Sequence, residues 1–480
     1  MSILKNIFKF SISTWVNFVV STVAVSILTR TFAPAEYAII ALFTTATEFG
    51  MSFFCMGMDS ACLRFYNTPP NDEPKNLFIG KIIIACTFFI VSTGLASLFF
   101  NLDNLSLQLF SKENKILILL LFINLYSSTL FRFFNISYRM ETKTKEYNIQ
   151  MILTNTIRKL SYVLAVFVSP NAETAILIQV LLLFGTLVFY FFKQHNSIFP
   201  ILSTLKTLRV KTYFNGYGPF LKFAIYSAPT YWLIYANNYL SLFLIGKFCS
   251  ASAVGIFSTA TFFSAAMAVM RGGFATFWGP YMYNNYQTEQ KTIIKVHGLF
   301  VLFSAVCFSL LLIFKDVIYL LIGCEYYEGK TIMSYVLLSS ILQSFLETTV
   351  YGIYIEKKAY IATILLALQL VSNAVLSLAL TPKWGIQGAA YAMLISNVLY
   401  FALSTYWGQK YYKSIKSASL TTISIIALIV ESILVNLTDR TIMVIVFSLI
   451  PVVLITLLYK DDIKSLQLKN FLLQRLKSNK

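Results

Sequence analysis

Residues 441–459 read TIMVIVFSLIPVVLITLLY, a run of nineteen positions without a charged side chain. An α-helix rises about 1.5 Å per residue and the hydrocarbon core of a bilayer is about 30 Å thick, so about 20 apolar residues cross it. Comparable stretches recur along the whole chain, separated by short polar gaps. A soluble core cannot enclose this much apolar surface, because 57% of the residues are hydrophobic and only 12% are charged. The sequence therefore predicts an all-α membrane protein with about 14 transmembrane helices.

The lysines and arginines fall mostly in every second gap, counted from the N-terminus. They number 38 against 20 Asp and Glu, which gives a net charge of +18. Because Lys and Arg accumulate in cytoplasmic gaps, this pattern predicts that both termini are cytoplasmic. The charge then orients the chain in the membrane, and nucleic-acid binding is not expected. The predicted spans are 7–29, 37–63, 78–100, 116–138, 147–169, 174–192, 220–245, 254–275, 296–320, 331–355, 359–381, 386–408, 418–437 and 441–459.

The longest cytoplasmic gap divides the chain, and a weak internal repeat supports the division. Residues 28–40 follow the first span and resemble residues 244–257, which follow the seventh. Each segment contains, in order, a cation, an aromatic residue, a turn of small residues and an aliphatic run. Both copies lie on the predicted outer face, so the repeat is parallel. The gap itself suits either a basic amphipathic segment on the inner leaflet or an ordinary solvated loop. The predicted parts are an N-terminal six-helix lobe (1–193), an inter-lobe loop (194–219), a C-terminal six-helix lobe (220–408), helices 13 and 14 (409–460) and a basic tail (461–480).

Charged side chains inside the spans are the candidate functional residues. Each costs at least about 2.5–3.5 kcal/mol at mid-bilayer unless it faces a cavity or a partner. Glu48 and Asp59 are eleven positions apart, about three helical turns, and are therefore predicted to share one face of span two. Arg132 and Arg139 are seven positions apart and are also predicted to share a face. Together with further arginines they would form a net cationic wall that opens toward the cytoplasm. The candidate substrate-binding residues are Arg132, Arg139, Arg158 and Arg64.

Such a wall suits an anionic substrate, because the guanidinium fork matches phosphate oxygens. The alternative is that Asp59 with Arg64, and Glu48 with Arg158, form structural ion pairs between packed helices. Later spans carry few charges, and midway along span seven stands the amide Asn238. The candidate coupling or gating residues are Glu48, Asp59, Asn238, Glu347 and Arg271. No nucleotide-binding, zinc or nucleophile–base motif is present, so neither an enzyme nor a bound metal or cofactor is expected.

Several segments resemble motifs of one transporter family. Residues 28–37 (LTRTFAPAEY) resemble a signature of bacterial polysaccharide flippases, and residues 220–229 (FLKFAIYSAP) resemble the start of their second lobe. Residues 253–258, 278–281 and 385–392 resemble further family motifs in the same order. The chain is accordingly identified as similar to the O-antigen and capsule repeat-unit flippases of the multidrug/oligosaccharidyl-lipid/polysaccharide exporter superfamily. In relatives, the middle of span seven often carries Asp-Arg, where this chain has Asn238-Tyr239.

The resemblance implies a V-shaped pair of six-helix lobes that alternate access. It implies translocation of undecaprenyl-pyrophosphate-linked oligosaccharide from the cytoplasmic to the outer leaflet of the bacterial inner membrane, coupled to a proton or sodium gradient. Membrane lipids, and the polymerase and chain-length proteins of the same pathway, are the implied partners. Two alternatives remain open at this stage: a cation-coupled multidrug antiporter of the same superfamily, and a membrane-embedded glycosyltransferase or polymerase.

Overall fold

The computed structural model describes residues 2–193, 214–438 and 440–465. Within these residues every regular element is a helix, which confirms the all-α class. Most of the predicted inter-lobe loop and most of the basic tail lie outside the described residues.

Packing divides the chain into two compact units. The first unit comprises Met1–Ser258 with Ile322–Tyr326, and the second comprises Thr259–Leu321 with Tyr327–Lys480. The division into six-helix lobes with two additional helices stays a prediction.

The first unit contains nine helices and the beginning of a tenth, counted over its described residues. In this unit α2 packs against α6 and α9, α1 packs against α7, and α7 packs against α8. The helices are α1 (Ser2–Thr31), α2 (Pro34–Cys55), α3 (Met58–Phe65), α4 (Lys75–Ser97), α5 (Leu102–Phe110), α6 (Lys115–Met140), α7 (Thr144–Val168), α8 (Ala172–Lys193), α9 (Gly218–Phe248) and α10 (Ala251–Asn285).

The second unit begins within α10 and contains eight more helices in the part of the chain that the structure describes. Here α13 packs against α15, and α11 and α16 both pack against α17. The helices are α11 (Gln290–Ile313), α12 (Lys315–Leu320), α13 (Lys330–Thr349), α14 (Tyr351–Ile355), α15 (Ala359–Tyr411), α16 (Ala418–Asn436), α17 (Thr441–Leu458) and α18 (Lys460–Ser465).

Ten helices among the described residues are long and apolar enough to cross a membrane. One of them, the 53-residue α15, is interrupted at Gly385, where φ is 56°. A Cβ on Gly388 would lie 2.3 Å from the Leu380 carbonyl oxygen, so the chain folds back at this point. The interruption coincides with the gap predicted between spans eleven and twelve. A multi-pass helical membrane protein is confirmed, while the count of fourteen spans stays a prediction.

Span two is not a single helix. After α2 ends at Cys55, Met56 and Gly57 both adopt positive φ, and α3 starts at Met58 in a new direction. A Cβ on Gly57 would lie 2.2 Å from the carbonyl oxygen of Ala224 in α9, so the close approach of α9 requires glycine at the break. Helical periodicity does not continue through the break, so the eleven-residue spacing does not determine how Glu48 and Asp59 are oriented. Both carboxylates interact electrostatically with Tyr235 of α9.

A short helix, α5, fills the gap predicted between spans three and four. It is preceded by Asn101, whose side chain accepts hydrogen bonds from the backbone N–H groups of Asp103 and Asn104. This is an N-cap, and an Asn before a short amphipathic segment is its usual sequence signal.

Candidate cationic cavity

A cavity of about 310 Å³ opens within the first unit, bounded by the α2–α3 segment, α6, α7 and α9. Three arginines and one aspartate line it, which gives the charged lining a net charge of +2. Among its other polar lining residues are Ser128, Asn135, Gln150 and Asn155. The lining charges are Asp59, Arg132, Arg139 and Arg158.

The break in span two places Asp59 in this cavity. Asp59 lies in the first turn of α3, where the helix dipole favours a negative charge. Its carboxylate forms an ion pair with the Arg132 guanidinium of α6. The Asp59 side chain is 7% exposed, whereas Arg132 is 30% exposed and also interacts electrostatically with Tyr235 of α9. Asp59 thus fixes one end of the Arg132 guanidinium while the rest still borders the cavity.

Arg158 enters the cavity from α7 with part of its hydrogen-bonding capacity unused. One terminal nitrogen donates to the Ser128 hydroxyl at 2.8 Å. Its buried Nε, and the buried Nδ2 of Asn135, have no hydrogen-bond partner within the described part of the chain. Gln150 holds α7 against α6 by donating to the Phe131 carbonyl at 2.9 Å. Two unused donors therefore lie in the wall of a cationic cavity.

Arg139 lies near the end of α6, about 10 Å along the helix from Arg132. Its neighbour in the following turn, Glu141, accepts a hydrogen bond from the Tyr66 hydroxyl at 2.9 Å and pairs with Lys143 at 2.6 Å. Burial alone would raise the pKa of the Glu141 carboxyl, but its hydrogen bonds with Lys143 and Tyr66 lower that pKa below its usual value. Glu141 is thus ionised and already engaged, and Arg139 keeps its positive charge available at this end.

Two other predicted residues of the first lobe lie outside the cavity lining. Glu48 interacts electrostatically with Lys159 and Arg158, without an ion pair within 4 Å among the described residues. Arg64 is exposed, and its guanidinium lies 4.8 Å from the ring centre of Phe223 in α9. The predicted structural pair of Asp59 with Arg64 is not formed, because Asp59 pairs with Arg132 instead.

The remaining candidates are not brought to this cavity. Asn238 is exposed on α9. In the second unit, the Arg271 Nε lies 3.9 Å from the Glu347 carboxylate, and an Arg271 terminal nitrogen donates to Gln343 at 2.7 Å. The Gln343 amide donates in turn to Asn397, at 3.3 Å. Arg271 and Glu347 therefore belong to a separate polar network in the second unit.

The cavity can hold an anion of modest size. Its volume is at the lower end of the range for small-molecule sites, which suits a diphosphate group better than an oligosaccharide. Guanidinium groups and amide N–H groups are suitable donors for phosphate oxygens. Sequence reasoning found the three arginines but missed the amides, such as Asn135. Their occurrence within apolar spans was the available signal.

The motif at residues 28–37 is a structural junction. Glu36, in the first turn of α2, accepts a hydrogen bond from the Ala172 backbone N–H at 2.6 Å, which joins the starts of α2 and α8. Lys112 lies 3.4 Å from Glu36 and 3.2 Å from Glu173, so it adds the α5–α6 connection to the same cluster. The motif glutamate therefore joins three segments of the first unit.

A distant segment of the same unit closes this junction. The Gly323 N–H donates to the Thr29 hydroxyl, and the Tyr326 hydroxyl donates to the Phe32 carbonyl at 2.8 Å. A Cβ on Gly323 would lie 2.0 Å from the Thr29 carbonyl oxygen, so only glycine permits this approach. The α1–α2 junction thus depends on residues nearly three hundred positions later, as each of these hydrogen bonds spans 294 residues.

The family model described as "Polysaccharide biosynthesis protein" matches residues 27–272, more than half of the 480-residue chain. The chain belongs to the polysaccharide biosynthesis protein family. The match includes the junction motif and every residue that lines the cavity. The resemblance to polysaccharide flippases is thereby confirmed. Among curated proteins, none matches the chain at a significant level.

Solved structures of transporters share the fold of this member of the polysaccharide biosynthesis protein family. The lipid II flippase MurJ in an inward closed conformation aligns with a TM-score of 0.68 and 18% identity, over 95% of this chain and 99% of that chain. An inward-facing multidrug resistance MATE family transporter of the MOP superfamily aligns with a TM-score of 0.57 and 13% identity, over 82% of this chain and 94% of that chain. The MATE multidrug transporter DinF-BH aligns with a TM-score of 0.53 and 18% identity, over 84% of this chain and 94% of that chain.

Proposed function

We propose that this protein is a flippase that moves undecaprenyl-pyrophosphate-linked oligosaccharide from the cytoplasmic to the outer leaflet of the bacterial inner membrane. The cavity would bind the pyrophosphate, through Arg132, Arg139 and Arg158. The lipid tail would stay in the bilayer and the sugars would extend beyond the cavity. The product serves O-antigen or capsule assembly, for which the polymerase and chain-length proteins of the pathway are the expected partners.

The observation that carries this proposal is a net positive cavity with unused donors inside a membrane protein. Charged groups do not cross hydrocarbon unaided, because desolvating an unpaired charge costs far more than thermal energy. Fixed guanidinium groups replace the lost hydration of a pyrophosphate and so lower that barrier. Membership of a polysaccharide biosynthesis family is consistent with a lipid-linked substrate whose charged head must cross the membrane. MurJ, which shares the fold, is a lipid II flippase.

The cavity disfavours the two alternatives. A multidrug antiporter for cations would hold its substrate with free acidic groups, whereas the single acid in this lining, Asp59, is already paired with Arg132. That pairing also argues against a glycosyltransferase or polymerase using Asp59 as a catalytic base, since a base needs a free carboxylate within reach of its substrate.

Alternating access of the two predicted lobes, driven by a proton or sodium gradient, is the mechanism we expect. Both termini are expected on the cytoplasmic side, which places Arg139 and Glu141 at the cytoplasmic end of α6. The substrate would therefore meet Arg139 first and Arg158 last as it enters from the inner leaflet.

Reconstituted flipping of a fluorescent undecaprenyl-pyrophosphate disaccharide tests the function. Dithionite added outside liposomes bleaches only the outer leaflet, so continued bleaching measures transfer from the inner one. We expect transfer with the intact protein and none in empty liposomes. Transport of a cationic dye in the same liposomes, with no transfer of the lipid, would contradict the proposal and favour the antiporter.

Two exposed arginines provide a matched pair for the same assay. Arg139→Ala removes a charge that lines the cavity, and Arg64→Ala removes one that lies over Phe223. We expect the first variant to slow transfer about tenfold, the effect of losing one charge-assisted hydrogen bond, and the second to match the intact protein. Equal loss in both variants would show that the cavity lining does not determine binding.

A further inference from the structure

A carboxyl group is enclosed within the second unit, apart from the cavity described above. Glu431 of α16 is 0% exposed. Ser309 of α11 and Ser448 of α17 lie close enough to interact with its carboxyl group. Neither hydroxyl makes a hydrogen bond of normal geometry with it, and neither carboxyl oxygen has a partner among the described residues. Three helices thus meet around an acid with unused hydrogen-bonding capacity.

Among the described residues, no cation forms an ion pair with this acid. In the stretches of chain that the structure covers, no Lys, Arg or His lies within ion-pair distance of Glu431. The other acids inside helices differ: Glu347 lies 3.9 Å from Arg271, and Glu48 interacts with Lys159. An unpaired carboxylate in this position would be prohibitively costly, and the inexpensive alternative is to bind a proton.

The titratable groups with described contacts on the elements around α16 interact with residues other than Glu431. His297 of α11 hydrogen-bonds Thr421, which lies ten residues, or about 15 Å, along α16 from Glu431. The Lys315 amine of α12 donates at 3.0 Å to the carbonyl of Val435, which lies one helical turn after Glu431 on α16. On α13 the ionisable residues have other described contacts, and α17 has no ionisable side chain. The α13 contacts are Lys330 with Asp316, Tyr335 with Tyr391, and Glu347 with Arg271.

We propose that Glu431 is a proton-binding site, occupied at neutral pH, where α16 meets α11 and α17 beside the hydroxyls of Ser309 and Ser448. A neutral carboxylic acid both donates and accepts hydrogen bonds, so it can interact with nearby hydroxyls without leaving a charge in the membrane. A sodium ion fits less well, since one carboxylate and two hydroxyls provide too few oxygens for a hard cation. This site does not depend on the proposed flippase function.

Carbodiimide labelling tests whether Glu431 holds a proton. Dicyclohexylcarbodiimide adds to protonated carboxyl groups in apolar surroundings, and the adduct rearranges to a stable N-acylurea that is read by peptide mass spectrometry. With the full-length protein in detergent at pH 7, we expect labelling of Glu431 at least tenfold above that of Glu347. Labelling should fall as the pH is raised and should not change with sodium chloride. Protection by sodium would overturn the proton assignment in favour of a metal cation.

Thermal unfolding of Glu431→Gln provides a second readout that does not require reagent access. Glutamine resembles the neutral acid, so we expect the variant to melt within a few degrees of the intact protein at pH 7. The folded protein holds a proton that the unfolded chain releases, so its folding equilibrium weakens by up to about tenfold per pH unit as pH rises. The variant should lack this dependence. A Glu431→Gln protein that melts far lower at pH 7, with an unchanged pH profile, would show that the carboxyl is ionised and would refute the proposal.

Arg158→Ala separates this inference from the proposed function. We expect that variant to lose lipid transfer and to keep full labelling of Glu431, because Arg158 lies in the first unit. Loss of labelling in Arg158→Ala would contradict the assignment of Glu431 as an independent site.

Discussion

Replacing Arg158 by alanine should separate binding from stability in a way that no other cavity charge allows. Arg158 makes one described hydrogen bond, to the Ser128 hydroxyl, and its buried Nε has no described partner. The guanidinium interacts with Glu48, but Glu48 also interacts with Lys159 and so keeps a cation nearby when Arg158 is removed. The folded protein therefore loses little when this side chain is truncated.

The expected magnitudes follow from these contacts. Loss of one neutral-to-charged hydrogen bond costs about 1.5–3 kcal/mol at most, and removal of a buried, incompletely satisfied charge offsets part of that cost. We expect the free energy of unfolding to change by less than about 1 kcal/mol. A bound pyrophosphate would lose a charge-assisted contact of about 1.5–3 kcal/mol, which raises Kd by a factor of about 10–150.

Native mass spectrometry of the purified protein with undecaprenyl pyrophosphate measures this change. Undecaprenyl phosphate and undecaprenol serve as lipids with fewer charges, and we expect the affinity of the intact protein to decrease in that order. Arg158→Lys keeps the charge but loses the bidentate fork, so its affinity should be intermediate. Arg64→Ala is the control for removing a cation elsewhere.

Two results would refute the reasoning. If Arg158→Ala binds undecaprenyl pyrophosphate as tightly as the intact protein, the cavity does not hold the pyrophosphate. If the free energy of unfolding of the variant instead falls by several kcal/mol, the guanidinium is a structural group that stabilises the fold.

Three further predictions concern unfolding in detergent, measured by denaturant titration. Arg132→Gln leaves Asp59 buried without its cation and should cost about 3 kcal/mol, while adding Asp59→Asn should restore most of the stability but not pyrophosphate binding. Lys81→Met leaves Glu73 without its cation and with only the hydrogen bond from the Tyr217 hydroxyl among its described contacts. The Lys81–Glu73 ion pair is 2.6 Å long and its side chains are 6% and 14% exposed, so the variant should lose about 3–5 kcal/mol of stability, and adding Glu73→Gln should recover much of it. Gly57→Ala places a Cβ 2.2 Å from a backbone oxygen at φ 72° and should cost more than about 2 kcal/mol, so near-normal stability would show that α3 can be repositioned cheaply.

The helical class and the three cavity arginines could be predicted from sequence because both depend on local rules. Apolar runs of sufficient length form spans, and Arg132 and Arg139 share a face because α6 is unbroken between them. Arg158 is a candidate from sequence alone because a charge inside a span is rare unless it has a role. Neither inference required knowledge of which helices are neighbours.

The break at Met56 and Gly57 could not be predicted in the same way. Hydropathy averages over about 19 residues, and the sequence around Gly57 is apolar enough to continue a span. The conformation instead depends on the approach of Ala224 in α9, which is distant in sequence. The direction of α3 then determines that Asp59 meets Arg132, a pairing that the spacing of Asp59 and Arg64 concealed.

The unused donors of the cavity were likewise beyond sequence reasoning. An amide such as Asn135 within a span indicates a hydrogen bond to some neighbour, which is its usual role in a bundle. Whether that partner exists depends on packing. In the described part of the chain, Asn135 Nδ2 and Arg158 Nε have no hydrogen-bond partner, which depends on the packing of α6 against α7.

The closure of the α1–α2 junction by Gly323 and Tyr326 has a consequence for biosynthesis. The ribosome releases the first two helices long before it makes these residues, because each contact spans 294 positions. During that interval the Phe32 carbonyl must find water or a temporary partner, such as an insertion factor. A nascent chain stalled before residue 323 should therefore be more sensitive to proteases around residue 32 than a chain long enough for residues 323–326 to have left the ribosome. Limited proteolysis of ribosome-bound chains would detect this difference.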